Sequence, residues 1–274
     1  MMAIIAISRE LAALGDETAH ELAKLLNYRF VDKSTLEDRI KSYGVVGRKF
    51  EKYDERKPSF LASFSPDRDD YLHYLRTAML TEAEGGNCIV IGRGAGAIFK
   101  GLPGGLSVFL VAPEEVRCER VKCYFRCDER RARQLVEKSD HDRRGFYRYF
   151  FDMDWKASDN YHLTLNTGHL HPAVSAEIIK NVMDRIITQE AEAQCALRIK
   201  DMILAQQVIH HIIYEKEIPI HFLESSVSGD QVTLLGVANS QALVEAAVAA
   251  AKELSPGSTI HSEIQVVREY AVIR

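Results

Sequence analysis

The chain has 274 residues, of which 46% are hydrophobic and 27% charged, and its formal net charge is −4. That length holds one large domain or a medium one with a small companion, and the composition is that of an ordinary soluble globular protein. The first apolar run, residues 3–7, is far too short for a signal peptide or a spanning helix, which points to a cytoplasmic protein with no membrane span. Five cysteines, odd in number and without tight zinc spacing, read as buried or half-buried thiols, with no metal expected.

Taken in chain order, residues 4–7 read as a buried strand. A loop follows, and Asp16 then caps a helix over 18–26. Strand, loop and helix in this order form the setting of a phosphate-binding loop, with Ser8, Arg9, Gly15 and Asp16 at the phosphate position. A loop of the type G-x-x-x-x-G-K-[ST] supplies bare backbone N–H groups, a lysine and a hydroxyl. Here Gly15 remains and no lysine follows it.

Residues 28–32 predict a short strand, and 34–84 predict helices broken by a polar loop around 54–58. Residues 88–91 give the clearest strand, and Gly92-Arg93-Gly94-Ala95-Gly96 leaves its carboxyl end. Ligands of parallel-sheet enzymes bind at that edge. Glycine lets backbone approach a ligand, and Arg93 offers a planar fork for phosphate, carboxylate or a base edge. Residues 107–112 predict another strand, followed by a helix from Pro113, and 161–167 a further strand before a helix over 171–187. Short apolar strands alternating with helices predict an α/β domain with a parallel sheet covered on both faces.

Charge is uneven. Between Arg117 and Arg148 stand eleven Lys/Arg against six Asp/Glu, whereas from Glu190 to Arg274 the counts are six and eleven. A basic block within a near-neutral domain suits an anionic small ligand better than nucleic acid. Within it, Asp140, Arg143, Arg144 and Arg148 predict charged groups on one side of a helix. Cations that close over a transferring group spread its charge. Local Asp140–Arg143 and Asp140–Arg144 pairs on a solvated helix fit the same spacing.

After Glu190 the pattern changes. A helix over 196–214, a strand over 219–227, a tight turn at Ser228-Gly229-Asp230, a strand over 231–237, an alanine-rich helix over 240–254 and a strand over 259–270 predict a small α+β domain at 196–274. Adjacent His210 and His211 face different sides of a helix, so with His221 they read as packed or solvated rather than metal-binding.

Five segments together resemble the cytidylate-kinase-like family, P-loop relatives of bacterial cytidylate kinase, over roughly residues 2–190. They are Ser8-Arg9-Glu10, the stretch Tyr53-Asp54-Glu55-Arg56-Lys57-Pro58-Ser59-Phe60, Gly92-Arg93-Gly94, Glu115-Val116-Arg117 and the segment from Asp140 to Arg148. The resemblance implies a nucleoside monophosphate kinase fold with a core, a nucleotide-binding insertion at about 36–84 and an arginine-bearing lid at about 125–150. It implies ATP with Mg²⁺ as donor and a CMP-like acceptor. By the same match, Arg93, with Gly92 and Gly94, faces the acceptor. The match also implies that Arg143 and Arg148 are catalytic lid arginines bridging donor and acceptor phosphates, and that Arg144 and Asp140 bind substrate.

Two departures stand out. The family reads S-R-E-[YF]-G-S-G-G, and here Ala12 and Leu14 replace glycines whose positive φ a phosphate nest uses. Asp16 adds negative charge where phosphate docks, and Gly94 stands where cytidylate kinase has Asp. The segment 196–274 resembles a BON domain, which implies an unidentified ligand or protein partner there; a homo-oligomer is possible. Two readings result: an ATP-dependent nucleoside monophosphate kinase, or an inactive pseudokinase sensing a nucleotide or anion and signalling through the C-terminal module. The altered first loop favours the second.

Overall fold

A computed structural model describes residues 2–43 and 67–267. The motif at 53–60, the polar loop at 54–58 and the end of the expected final strand lie outside the described residues. The chain divides into two compact units, residues 1–196 and 197–274.

The first unit is built on β1 (Ile4–Arg9), β2 (Arg29–Val31), β3 (Cys88–Ile91), β4 (Gly105–Val111) and β5 (Leu163–Asn166). These strands form one sheet in the order β2-β3-β1-β4-β5, with every pairing parallel. All four residues of β3 and the first five of β1 are buried. Near-continuous apolar strands of this kind belong to a sheet with helices on both faces.

On one face, Ile5, Ile7, Ile89, Ile91, Val108 and Leu110 pack against α1 (Gly15–Leu26) and α7 (Pro172–Ile186) through Ala19, Leu22, Ile179 and Met183. Alternation sends Ile4, Ala6, Cys88 and Val90, equally buried, to the opposite face. There α3 (Asp67–Glu84) reaches β3, and the short α4 (Ala95–Ile98) reaches β1. α2 (Lys33–Ser42) precedes α3. α5 (Glu114–Phe125) and the 23-residue α6 (Glu129–Phe151) form a hairpin. Asp128 caps α6 by accepting the Arg131 N–H at 2.8 Å.

Register carries the carboxyl ends of three strands to one edge. Ile7 pairs with both Ile91 and Val108, the Gly92 N–H donates to the Ile7 carbonyl at 2.9 Å, and the Glu10 N–H donates to Leu110 at 3.0 Å. The loops at 8–15 and 92–96, and the start of α5, therefore share that edge.

The thiols differ from the expectation in one respect. Cys88, Cys118 and Cys195 are buried, but Cys123 is exposed. Arg126 adopts a left-handed conformation at the end of α5, and Cys127, beyond the helix, packs half-buried against the cluster of Cys118, Val121, Ala132 and Val136. Burial pushes the Cys88 thiol up to about 12 and Cys195 up to about 11, which keeps both protonated and non-nucleophilic.

In the second unit, β6 (His221–Ser228) and β7 (Gln231–Ala238) form an antiparallel hairpin, and β8 (Thr259–Val266) pairs parallel to β7 after the crossover helix α9 (Gln241–Leu254). Val232, Leu234, Val227 and Ile264 meet Val244, Ala247 and Ala251 of α9 and Ala205, Val208 and Ile212 upstream. The helix α8 (Gln189–His210) ends in a π-helical turn, His211–Glu215. His211 is buried there, and its Nδ1 lies 2.6 Å from Glu215 Oε2. Among the described residues there is no cluster of three or more metal-ligating groups, and no helix is long and apolar enough to cross a membrane.

Candidate functional site

The loop after β1 turns through left-handed backbone at two residues that are not glycine. Ala12 and Leu14 hold φ of +59° and +52°. The Cβ atoms at these positions, expected to disfavour positive φ, have not prevented it. Left-handed backbone costs a residue with a Cβ about 1–2 kcal/mol, so surrounding contacts must impose it. Arg120 of α5 donates from Nη1 to the Ala12 carbonyl at 3.0 Å and from Nη2 to the Thr167 carbonyl at 2.8 Å. The buried Thr167 hydroxyl lies 3.0 Å from the Ala13 carbonyl. Leu11 and the Ala12 methyl pack on Cys118, Val121, Ala132 and Val136 of the α5–α6 hairpin.

Two expectations about the start of α1 are corrected. The helix begins at Gly15 with Leu14 at the N-cap, and no side chain caps it. Asp16 is exposed in the first turn, and its carbonyl, not its carboxylate, engages His20 Nδ1 at 2.7 Å. The carboxylate is a first-turn charge that suits the helix dipole but satisfies no capping bond. The first intrahelical bond runs from the Thr18 N–H to the Leu14 carbonyl. The N–H groups of Gly15, Asp16 and Glu17 precede it. Gly15 is required for another reason: a Cβ there would come within 2.5 Å of the Arg9 side chain, which crosses over it.

Behind the loop lies a closed ionic network. Arg117 Nη1 and Nη2 donate to both oxygens of Asp140 at 2.9 Å. Lys156 Nζ bridges Glu10 Oε1 at 2.7 Å and Asp140 Oδ2 at 2.9 Å. Glu10 Oε2 accepts the Ala112 N–H at 3.1 Å and lies 3.6 Å from Arg117 Nε. Two cations balance two carboxylates across the first loop, α5, α6 and the segment after α6. Burial alone would raise the Asp140 carboxyl, but its bonds from Arg117 and Lys156 outweigh that and hold it below the usual carboxylate range. Asp140 thus pairs across elements, not with Arg143 or Arg144 in its own helix.

The loop after β3 buries its arginine. Arg93 is buried, holds φ of +53°, and donates to Glu37 Oε1 at 3.0 Å and to the Tyr71 hydroxyl at 3.3 Å. Gly94 follows with φ of +77°, and a Cβ there would lie 2.3 Å from the Phe151 ring. That contact gives Gly94 its local reason: no side chain fits beneath Phe151. Nearby, the buried Ser8 hydroxyl shares a 3.1 Å hydrogen bond with Tyr147. Burial raises Tyr161 to about 12 against the opposing effect of Ser8, so this phenol stays protonated near neutral pH.

The arginines expected to bridge phosphates from a lid do not converge. Arg143 and Arg148 stand five residues apart on one continuous helix, about 140° around its axis. Arg143 turns inward, donating to the Ser139 hydroxyl, while Arg144 and Arg148 are exposed.

Sequence reasoning gave no role to Glu10 and Arg117, although both sit in the quoted motifs, and it missed Lys156, Arg120 and Thr167 altogether. Arg117 and Arg120 lie three residues apart on one helix, facing the strand edge, a signal that was present. Lys156 follows Trp155 in a segment between elements, and no pattern marked it.

Comparison with known proteins finds similar solved structures and two matching families. A crystal structure of an uncharacterized protein from Eubacterium ventriosum is 20% identical, covers 67% of this chain and 99% of its own, and superposes with a TM-score of 0.55. A shikimate kinase from Bacteroides thetaiotaomicron is 16% identical, with 67% and 99% covered and a TM-score of 0.42. The Bacillus subtilis YorR protein, solved with phosphorylated GDP, is 16% identical, with 66% and 96% covered and a TM-score of 0.38. No curated protein matches the chain. Residues 200–268 match the BON domain. Residues 4–169, well over half of the chain, match the cytidylate kinase-like family, and the chain belongs to that family.

Proposed function

We propose that the first unit binds a nucleotide or related phosphate-bearing anion at the loop between β1 and α1 and acts as a sensor rather than an efficient kinase. The observation that carries this reading is the positive φ of Ala12 and Leu14 beside the first-turn N–H groups of α1, which no side chain caps. That backbone presents N–H groups to an anion. The donor set fits a phosphate group better than a full magnesium nucleotide. No lysine or hydroxyl occupies positions 15–17, and Asp16 and Glu17 put two carboxylates there. Arg93 supports an acceptor-side site for a CMP-like molecule, since its guanidinium, oriented by Glu37 and Tyr71, is at the same strand edge.

In this reading the domain spans about residues 1–190 and the BON-like segment 196–274 passes the bound state to a protein or ligand partner, in the cytoplasm. Binding would work through positioning and electrostatics alone, with no protein nucleophile. Phosphoryl transfer from ATP with Mg²⁺ is the competing reading, and it needs Arg143 and Arg148 to reorient.

Calorimetry with CMP, pyrophosphate and Mg-ATP, followed by a coupled phosphotransfer assay, separates them. The expected result is binding of CMP or pyrophosphate without turnover. Turnover abolished by Arg143→Ala would establish the kinase, and failure of every compound to bind would remove both readings.

A further inference from the structure

We infer that Arg120 is a positioning residue that, with Thr167, holds the first loop in its nest conformation where the sequence has lost the glycines that would adopt it unaided. This rests on the proposed anion site at that loop. Two consecutive loop carbonyls, those of Ala12 and Ala13, are taken up by Arg120 Nη1 at 3.0 Å and the Thr167 hydroxyl at 3.0 Å. Turning the carbonyls toward these donors points the peptide N–H groups the other way: that of Ala13 donates to the Glu10 carbonyl at 3.3 Å, which closes the turn, and those that remain to meet an anion are the N–H of Leu14 and the first-turn N–H groups of α1.

The brace is itself fixed. Arg120 Nη2 binds the Thr167 carbonyl at 2.8 Å, and the Thr167 N–H donates to the Val111 carbonyl at 2.8 Å, which ties the clamp to the end of β4. A guanidinium suits this task because its planar fork reaches two carbonyls at once, whereas an ammonium is a single point charge. Leu11 and Ala12 add an apolar anchor in the α5–α6 hairpin. Strained backbone of this kind persists only where its surroundings over-determine it.

The test measures pyrophosphate affinity and thermal stability together. Arg120→Ala is expected to weaken pyrophosphate binding at least tenfold with only a small fall in melting temperature. Arg120→Lys, the fallback if the alanine variant folds poorly, is expected to weaken it several-fold. Combining Arg120→Ala with Ala12→Gly and Leu14→Gly is expected to recover most of the loss, because glycine adopts positive φ without a brace. Unchanged affinity in Arg120→Ala or Arg120→Lys overturns the inference. If the wild-type protein binds no pyrophosphate, the proposed function fails on its own. The brace is then judged by crystal structures of the wild type and Arg120→Ala: loss of positive φ at residues 12 and 14 in the variant supports it, and retention overturns it.

Discussion

The two loops that leave the central strands at the same sheet edge both use left-handed backbone, and they reach it by different means. After β3, Gly92 and Gly94 flank Arg93, and all three have positive φ. Glycine supplies most of the conformation, and a phenyl ring fills the space a side chain would need. After β1, Ala12 and Leu14 take positive φ with Cβ atoms in place, under hydrogen bonds from α5 and the end of β5. One loop has its shape written in its own residues, and the other has it imposed by neighbours. Loss of glycine therefore does not by itself mean loss of left-handed backbone. It moves the burden from local conformational freedom to tertiary contacts.

The comparison can be broken most forcefully at the network beneath the first loop. Arg117→Met leaves the buried Glu10 and the half-buried Asp140 with one cation between them. It should cost about 3–5 kcal/mol in urea denaturation, as expected when one partner of a buried ion pair is removed. A loss below about 1 kcal/mol would mean that the network is solvated and does not anchor the loop.

At the second loop, Gly94→Ala combines positive φ with a collision against Phe151. The expected destabilisation is about 2–4 kcal/mol by the same measurement. If the variant is as stable as wild type, glycine is not what shapes this loop and the contrast disappears.

Acid titration gives a third handle. The folded Asp140 carboxyl lies below its ordinary value of 3.8, so its contribution is present above pH 3.8 and is lost as pH falls through the lower folded value. Asp140→Asn should flatten that part of the acid-unfolding curve relative to wild type, and an unchanged curve would remove Asp140 as its source. Lys156 has the opposite sign. Burial would lower its ammonium, but the Glu10 and Asp140 bonds raise it, so its contribution is complete below 10.5 and fades only as pH rises through the higher folded value.

The smallest effect falls on the first loop itself. Leu14→Gly relieves left-handed strain but loosens the unfolded chain, for a net gain of no more than about 1 kcal/mol. Ala12→Gly should gain less, because it also deletes the methyl packed on the α5–α6 hairpin. A clear destabilisation by Leu14→Gly would show that the leucine side chain, rather than the brace, holds the turn.

Much of this architecture was readable beforehand. Apolar runs of four to six residues separated by helical spacing announce a buried parallel sheet, and Ile4 to Ile7 and Cys88 to Ile91 are those runs. The change of pattern near Glu190 announces the second unit. The site was legible only in pieces. Arg93 and the segment from Asp140 to Arg148 stood out by residue type, but their partners did not, because Glu37, Lys156 and Thr167 are brought in from distant parts of the chain. Asp140 illustrates the difficulty. Its helix offers Arg143 and Arg144 at favourable spacing, yet Arg117 gives a bidentate pair in a less exposed place, and that geometry wins.

The sequence by itself determined the elements, their α/β order, the small C-terminal unit and the family, because periodicity and motif spacing are local properties of the chain. Tertiary structure alone decided that Ala12 and Leu14 would take positive φ and that Glu10, Arg117, Asp140 and Lys156 would close into one network. Those outcomes depend on which groups meet at the sheet edge. A backbone conformation disfavoured locally by one or two kcal/mol per residue is within reach of two well-placed hydrogen bonds and a packed methyl group.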